Sequence, residues 1–255
     1  SARAGLVHTG HGNLVTPFYM PVATKGAAKD LTPEELEACG VQSIISNGFL
    51  VGLKPGLEVT GKEGLHKLMN WHKGIFTDSG GFQILSDEFL VKKTEQGVIF
   101  RNPYTGEPKL FRPEDSIHWQ HVIGSDVAMA LDDVPRYGVL KEQVKQSLER
   151  SHAWLERNIS AHQQRDDMIN GQQMLFGIAQ GGVYEDLRAD SAQRLLKAKV
   201  DGYAIGGLAI GEPPETMFHA IEIQTKIFEQ DAQKPRYVMG LGSPAHMLDA
   251  VALAV

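Results

Sequence analysis

One unit recurs along all 255 residues: a short apolar or β-branched run, a polar turn, then a stretch of helical periodicity. Seven runs read as strands: 17–23, 43–47, 74–78, 125–132, 174–180, 201–206 and 236–240. Helical sequence follows each of them. The first helix is the most sharply bounded, with Thr32 as N-cap, Pro33 in the first turn, Glu35 placed for a capping box and Gly40 just past the end. Alternation of this kind predicts an α/β chain, and at this length a (β/α)8 TIM barrel, with a doubly wound open sheet as the runner-up. Residues 1–255 read as a single barrel domain, with an insertion at about 91–113 whose Gly97, Asn102-Pro103 and Thr105-Gly106 predict a hairpin. Seven βα units leave a barrel one strand short, so an eighth strand is expected beyond Val255.

Composition narrows the class further. At 42% apolar and 22% charged residues, the chain can bury a full core and is not a disordered segment. No apolar run approaches the roughly 18–20 residues of a membrane span, so no membrane partner and a cytoplasmic location are expected. Cys39 is the only cysteine, which excludes an intrachain disulfide and a cysteine-rich zinc site within these residues. A net charge of -6 argues against non-specific coating of nucleic acid, while leaving room for a local phosphate-binding patch.

In α/β barrels the chemistry sits where strands end. Here those positions are Asn47, then Asp78-Ser79-Gly80-Gly81-Phe82-Gln83, Asp132-Asp133, Gln180-Gly181-Gly182, Gly206-Gly207-Leu208 and Gly240-Leu241-Gly242-Ser243-Pro244. Two carboxylates on one cavity suit acid/base work, or recognition of a ligand with paired N–H donors such as guanine. Gln180 could read a purine's carbonyl or N7 edge, and Phe82 or Met239 could cover its faces. The bland readings stand beside these. Asp132 or Asp133 could merely cap a helix, Gln180 could satisfy loop backbone, and the glycine pairs could be simple turns. The ten histidines, among them His118, His121 and His152, lack metal-ligand spacing and read as surface or packing residues, so no metal is assigned.

The segments Thr77 to Gln83, Gly177 to Gly182, Tyr203 to Glu212 and Tyr237 to Gly242 resemble, in order, the motifs of the tRNA-guanine transglycosylase (queuine tRNA-ribosyltransferase) family. The stretches 17–24, 47–56 and 95–114 match as well, so the resemblance covers nearly the whole chain. It implies a pentosyltransferase that replaces guanine in tRNA with a 7-deazaguanine, queuine or its precursor, through a covalent ribosyl-enzyme intermediate in queuosine biosynthesis. It places the general acid/base at Asp78. The base pocket falls on Ser79, Gly80, Gly81, Phe82, Asp132, Gln180, Gly207, Leu208 and Met239, and tRNA contact on Gly240, Leu241, Gly242, Ser243, Pro244, Ala245 and His246. The family's nucleophilic aspartate and structural zinc site align beyond Val255, so no cofactor is expected within these residues, and these residues alone are expected to be inactive. Family members commonly form homodimers. The insertion favours the anticodon wobble position over the D-arm chemistry of archaeal enzymes. Ile210 stands where queuine-using eukaryotic enzymes tend to have glycine, which favours the smaller precursor, although Asp132-Asp133-Val134 looks more eukaryotic than bacterial. A non-catalytic tRNA-binding partner subunit and an unrelated barrel acting on a phosphorylated metabolite are the competing readings.

Overall fold

Side chains that alternate between two buried faces organise the molecule. A computed structural model describes residues 2–86, 88–164 and 172–255. The chain opens with an antiparallel hairpin, β1 (Gly5–Thr9) and β2 (Gly12–Thr16). Next come α1 (Pro33–Ala38), β3 (Ser43–Asn47), α2 (Gly48–Val51), a π-helical turn and α3 (Leu57–Met69). Strand β4 (Gly74–Asp78) and the short α4 (Gly81–Ile84) precede β5 (Leu90–Thr94), β6 (Gly97–Arg101) and β7 (Pro108–Phe111). The remainder alternates: α5 (Pro113–Ile123), β8 (Val127–Met129), α6 (Lys141–Gln163), β9 (Met174–Ala179), α7 (Glu185–Lys197), β10 (Gly202–Ile205), α8 (Pro214–Phe228), β11 (Arg236–Val238) and α9 (Pro244–Ala252).

Six strands form one parallel sheet in the order β11-β10-β9-β8-β4-β3. That order follows the chain without reversal, whereas a doubly wound sheet reverses at a switch point. Along each strand, neighbouring residues join different clusters. Ile45, Phe76, Val127, Met129, Phe176 and Ala204 pack together on one face, while Ile44 and Ile75, and likewise Ala128, Leu175 and Tyr203, face the helices. The sheet is curled. The rings of Phe76 on β4 and Tyr237 on β11 lie 6.3 Å apart, although four strand spacings separate their strands, about 19 Å if the sheet were flat. Val7 and Leu14 of the N-terminal hairpin join the interior cluster near the strand starts, and Leu14 packs against Gly74.

Three expectations need correction. Residues 17–23 form no full strand: Pro17 and Pro21 lack the N–H groups a ladder needs, and only the Val22–Ile45 bridge extends the sheet past β3. The insertion is a three-stranded antiparallel sheet, β5-β6-β7, instead of a two-stranded hairpin. The strand expected over 125–132 ends at Met129 because helix α6 captures the backbone beyond it. Asn158 binds both the N–H and the C=O of Leu131, at 3.1 and 3.2 Å, and the Ser151 hydroxyl accepts from Asp133 N at 2.9 Å. The cap of α1 forms as its spacing predicts, with Thr32 Oγ1 accepting from Glu35 N and Glu35 Oε2 accepting from Thr32 N at 2.8 Å.

Candidate active site

Strand β4 ends at Asp78, and the Ser79-Gly80-Gly81 turn carries the chain into α4. A Cβ on Gly81 would stand 2.9 Å from both the carbonyl and the carboxylate of Asp132, so this glycine lets the β4 and β8 ends meet. Gln180, at the end of β9, reaches Asp132 from the other side, its Nε2 donating to Asp132 Oδ2 at 2.6 Å. A Cβ on Gly207 would come within 2.2 Å of Gln180 Oε1, which brings the β10 end into the same group. Met239 closes it, its sulfur 3.4 Å from the Cβ position of Gly206. Asp78, Asp132, Gln180, Gly207 and Met239 therefore gather at one end of the sheet, opposite the hairpin.

Burial dominates the electrostatics. It raises the Asp78 carboxyl to about 7, and Asp78 Oδ1 is sealed from solvent without a hydrogen-bond partner. Asp132 is also raised to about 7, first by burial and then by the nearby charges of Asp133 and Asp78, against the lowering effect of the Gln180 amide. Burial raises the Tyr237 phenol too, with Asp78 and Tyr19 adding to the shift. Gln180 Oε1 is a second buried polar atom with no partner in the protein. Two carboxyls poised near neutrality, an open amide oxygen and nearby backbone make a site suited to a planar ligand carrying both donors and acceptors.

The other candidates fall around this centre. Ser79 is buried, its Oγ accepting from Gly81 N at 3.3 Å. Gly80 adopts a left-handed conformation beside Phe49. Phe82 is exposed on α4, and Leu208 is buried. Gly240 to Ala245 run along the surface except for half-buried Leu241, and Ser243 caps α9 by accepting from His246 N, while the His246 ring meets Phe218 edge-on. Asn47 turns out to cap α2, its Oδ1 accepting from Leu50 N. The adjacent carboxylates divide: Asp133 is bound by Lys93 at 2.6 Å and by Arg150, and neither Asp132 nor Asp133 caps a helix.

Sequence reasoning passed over two buried residues behind the site. Arg188 of α7 is fully buried and donates to the carbonyls of Gly182, Gly206 and Gly207, and Gln224 of α8 donates to those of Gln180 and Arg188. A signal existed, since Arg188 shares the spacing of the buried face that carries Ser191, Ala192 and Leu195. A cavity of about 280 Å³ adjoins Gly207, lined by Tyr137, Tyr184, Ile210 and Glu212 among others. A larger apolar cleft of about 600 Å³ lies between the edges of the curled sheet, with neither Asp78 nor Asp132 in its lining.

Among the described residues, His11, His66 and Asp126 are the one group with metal-ligand spacing. It lies at the other end of the sheet. The two imidazoles stack at 3.4 Å with an interplanar angle of 15°, each on its own oxygen of Asp126. In-plane lone pairs of nearly parallel rings do not converge on one ion, so this arrangement is a hydrogen-bonded clasp joining the hairpin to the sheet.

The fold and this site define a class: a parallel α/β protein that brings a half-buried carboxyl (Asp78), a buried one (Asp132), a glutamine amide and glycine-rich loops to one rim. The chain belongs to the queuine tRNA-ribosyltransferase family, whose model matches residues 1–255. It is 46% identical over 250 residues to the queuine tRNA-ribosyltransferase of Shouchella clausii, covering 97% of this chain and 64% of that protein. The proteins of the same name from Anoxybacillus flavithermus and Listeria monocytogenes are each 45% identical, over 97% and 98% of this chain respectively. The chain thus spans 64% of the length of these relatives.

Proposed function

We propose that the protein is a tRNA-guanine transglycosylase, exchanging guanine at the anticodon wobble position for a 7-deazaguanine. The observation that carries this is the pairing of Asp78 and Asp132, both raised to about 7, around the Gln180 amide. Ionised Asp132 accepts the N1–H and exocyclic amine of the base, Gln180 reads the opposite edge, and Met239 covers a face. Asp78 acts as acid and then base. It protonates guanine as the glycosidic bond breaks, while the ribosyl group is held on an enzyme carboxylate. It then removes the proton from the incoming deazaguanine, whose nitrogen displaces that carboxylate.

The same reading takes the curled sheet as part of a closed (β/α)8 barrel in a cytoplasmic homodimer, with Gly240 to His246 facing tRNA. The family's structural zinc would be a resident group outside the site described. Exchange of radiolabelled guanine into tRNA tests the assignment: Asp78→Asn is expected to abolish exchange while tRNA still binds. Full exchange in that variant rejects the acid/base role, and guanine binding without any exchange by the natural protein favours a non-catalytic subunit.

Ile210 lines the cavity beside Gly207, and its branched side chain limits the room for a substituent on the incoming base. The smaller aminomethyl precursor is therefore the expected substrate. Competition between the precursor and queuine should favour the former, with Ile210→Gly narrowing the preference by about tenfold. Efficient queuine uptake by the unaltered enzyme overturns the size argument.

A further inference from the structure

The base pocket depends on backbone groups, and backbone groups need something to aim them. Arg188 is fully buried, and among the described residues no carboxylate oxygen meets its guanidinium. An unpaired buried cation is costly unless its donors are satisfied, and carbonyls satisfy them here. Nε donates to Gly182 O at 2.6 Å, Nη1 to Gly206 O at 2.8 Å and Nη2 to Gly207 O at 3.1 Å. One side chain thus spans the loop after β9 and the loop after β10.

The consequence lies on the far side of those peptides. In a trans peptide the C=O and the following N–H point in opposite directions. With the carbonyls of Gly206 and Gly207 held toward Arg188, the N–H groups of Gly207 and Leu208 point away from it. Their neighbours are occupied: Gly206 N donates to Ala179 O, and the N–H groups of Ala209 and Ile210 donate to the Glu212 carboxylate. Among the described residues, the Gly207 and Leu208 N–H groups have no acceptor. Gln224 extends the lock by accepting from Arg188 Nη1 at 3.3 Å and donating to Gln180 O at 3.2 Å.

We propose that Arg188 is a positioning residue for base recognition: by anchoring the Gly182, Gly206 and Gly207 carbonyls it aims two backbone N–H donors at an acceptor on the bound purine and fixes the loop that carries Gln180. The inference rests on the base-exchange reading and adds a residue that touches no substrate. Arg188→Lys is the informative variant, because an ammonium keeps the charge but cannot span three carbonyls from three separate nitrogens.

Guanine titrated calorimetrically into the unaltered protein and into Arg188→Lys should bind about tenfold more weakly to the variant, with tRNA affinity unchanged. In the unaltered protein, backbone amide resonances of Gly207 and Leu208 should move on adding guanine, a readout that does not depend on how the variant folds. Equal guanine affinity in a folded variant, or static Gly207 and Leu208 amides while guanine binds, overturns the role of Arg188 alone. Failure of the unaltered protein to bind guanine removes the base-exchange reading and this inference with it.

Discussion

Asp132 and Asp133 are adjacent and chemically identical, yet they occupy opposite situations. Asp133 meets Lys93 from β5 and Arg150 from α6, whereas the side chain that meets the Asp132 carboxyl is the neutral amide of Gln180. For Asp132, a folded value above the ordinary carboxyl value means that the fold holds its proton where the unfolded chain has released it. Stability contributed by this group is therefore present below about pH 4 and lost as pH rises toward about 7. Asp132→Asn should consequently raise the melting temperature at pH 8 by a few degrees while weakening guanine binding. Asp133→Asn removes the charge that two cations meet and should lower it, at a cost of about 3 kcal/mol. Thermal melts of both variants at pH 8 check the pair, and destabilisation by Asp132→Asn would contradict the burial argument. Nothing in the local sequence separates the two residues, because the groups that neutralise Asp133 lie 40 and 17 positions away.

Elements were more legible than contacts. Strands β3 and β4 and the cap of α1 follow from runs of β-branched residues, turn signals and spacing, all local properties. The limits of β8 do not, since Asn158 and Ser151 of a later helix take its last backbone groups. The N-terminal hairpin was also missed: each of its strands buries a single residue, Val7 or Leu14, which is too little periodicity to register. Its attachment to the sheet runs through Asp126, whose carboxylate accepts from His11, His66 and the Ile75 N–H. Burial raises the Asp126 carboxyl, but these hydrogen bonds outweigh it and leave a net lowering. Its stabilisation is therefore present above about pH 4 and lost as pH falls through the lowered folded value. Asp126→Asn should cost about 2 kcal/mol near neutrality, with hydrogen exchange rising first in β1 and β2. A variant whose hairpin stays as protected as before would show that apolar packing of Val7 and Leu14 suffices to hold it.

At the scale of the whole molecule, curling the sheet brings residues from β4, β8 and β9, separated by about 50 positions at each step, into one electrostatic unit. The sequence exposed the strand ends but not that Asp132 would be buried and Asp78 half-buried beside it. That burial determines how the site should respond to pH. Gln180 donates to Asp132, whereas Asp78 Oδ1 has no donor, so hydrogen bonding favours the charge on Asp132, and repulsion between the two carboxyls disfavours a second charge. Over the interval around pH 7 the site holds one charge and one proton: Asp132 ready to accept the N–H edge of the base, and Asp78 ready to protonate it. Guanine affinity should therefore strengthen as pH rises through the first ionisation, and exchange should decline once Asp78 loses its proton, giving a bell-shaped rate over a range centred near pH 7. Asp132→Asn should remove the acidic limb of the affinity profile, because an amide has no ionisation to complete. A guanine affinity that is flat across that range would show that the pair does not divide the proton in this way.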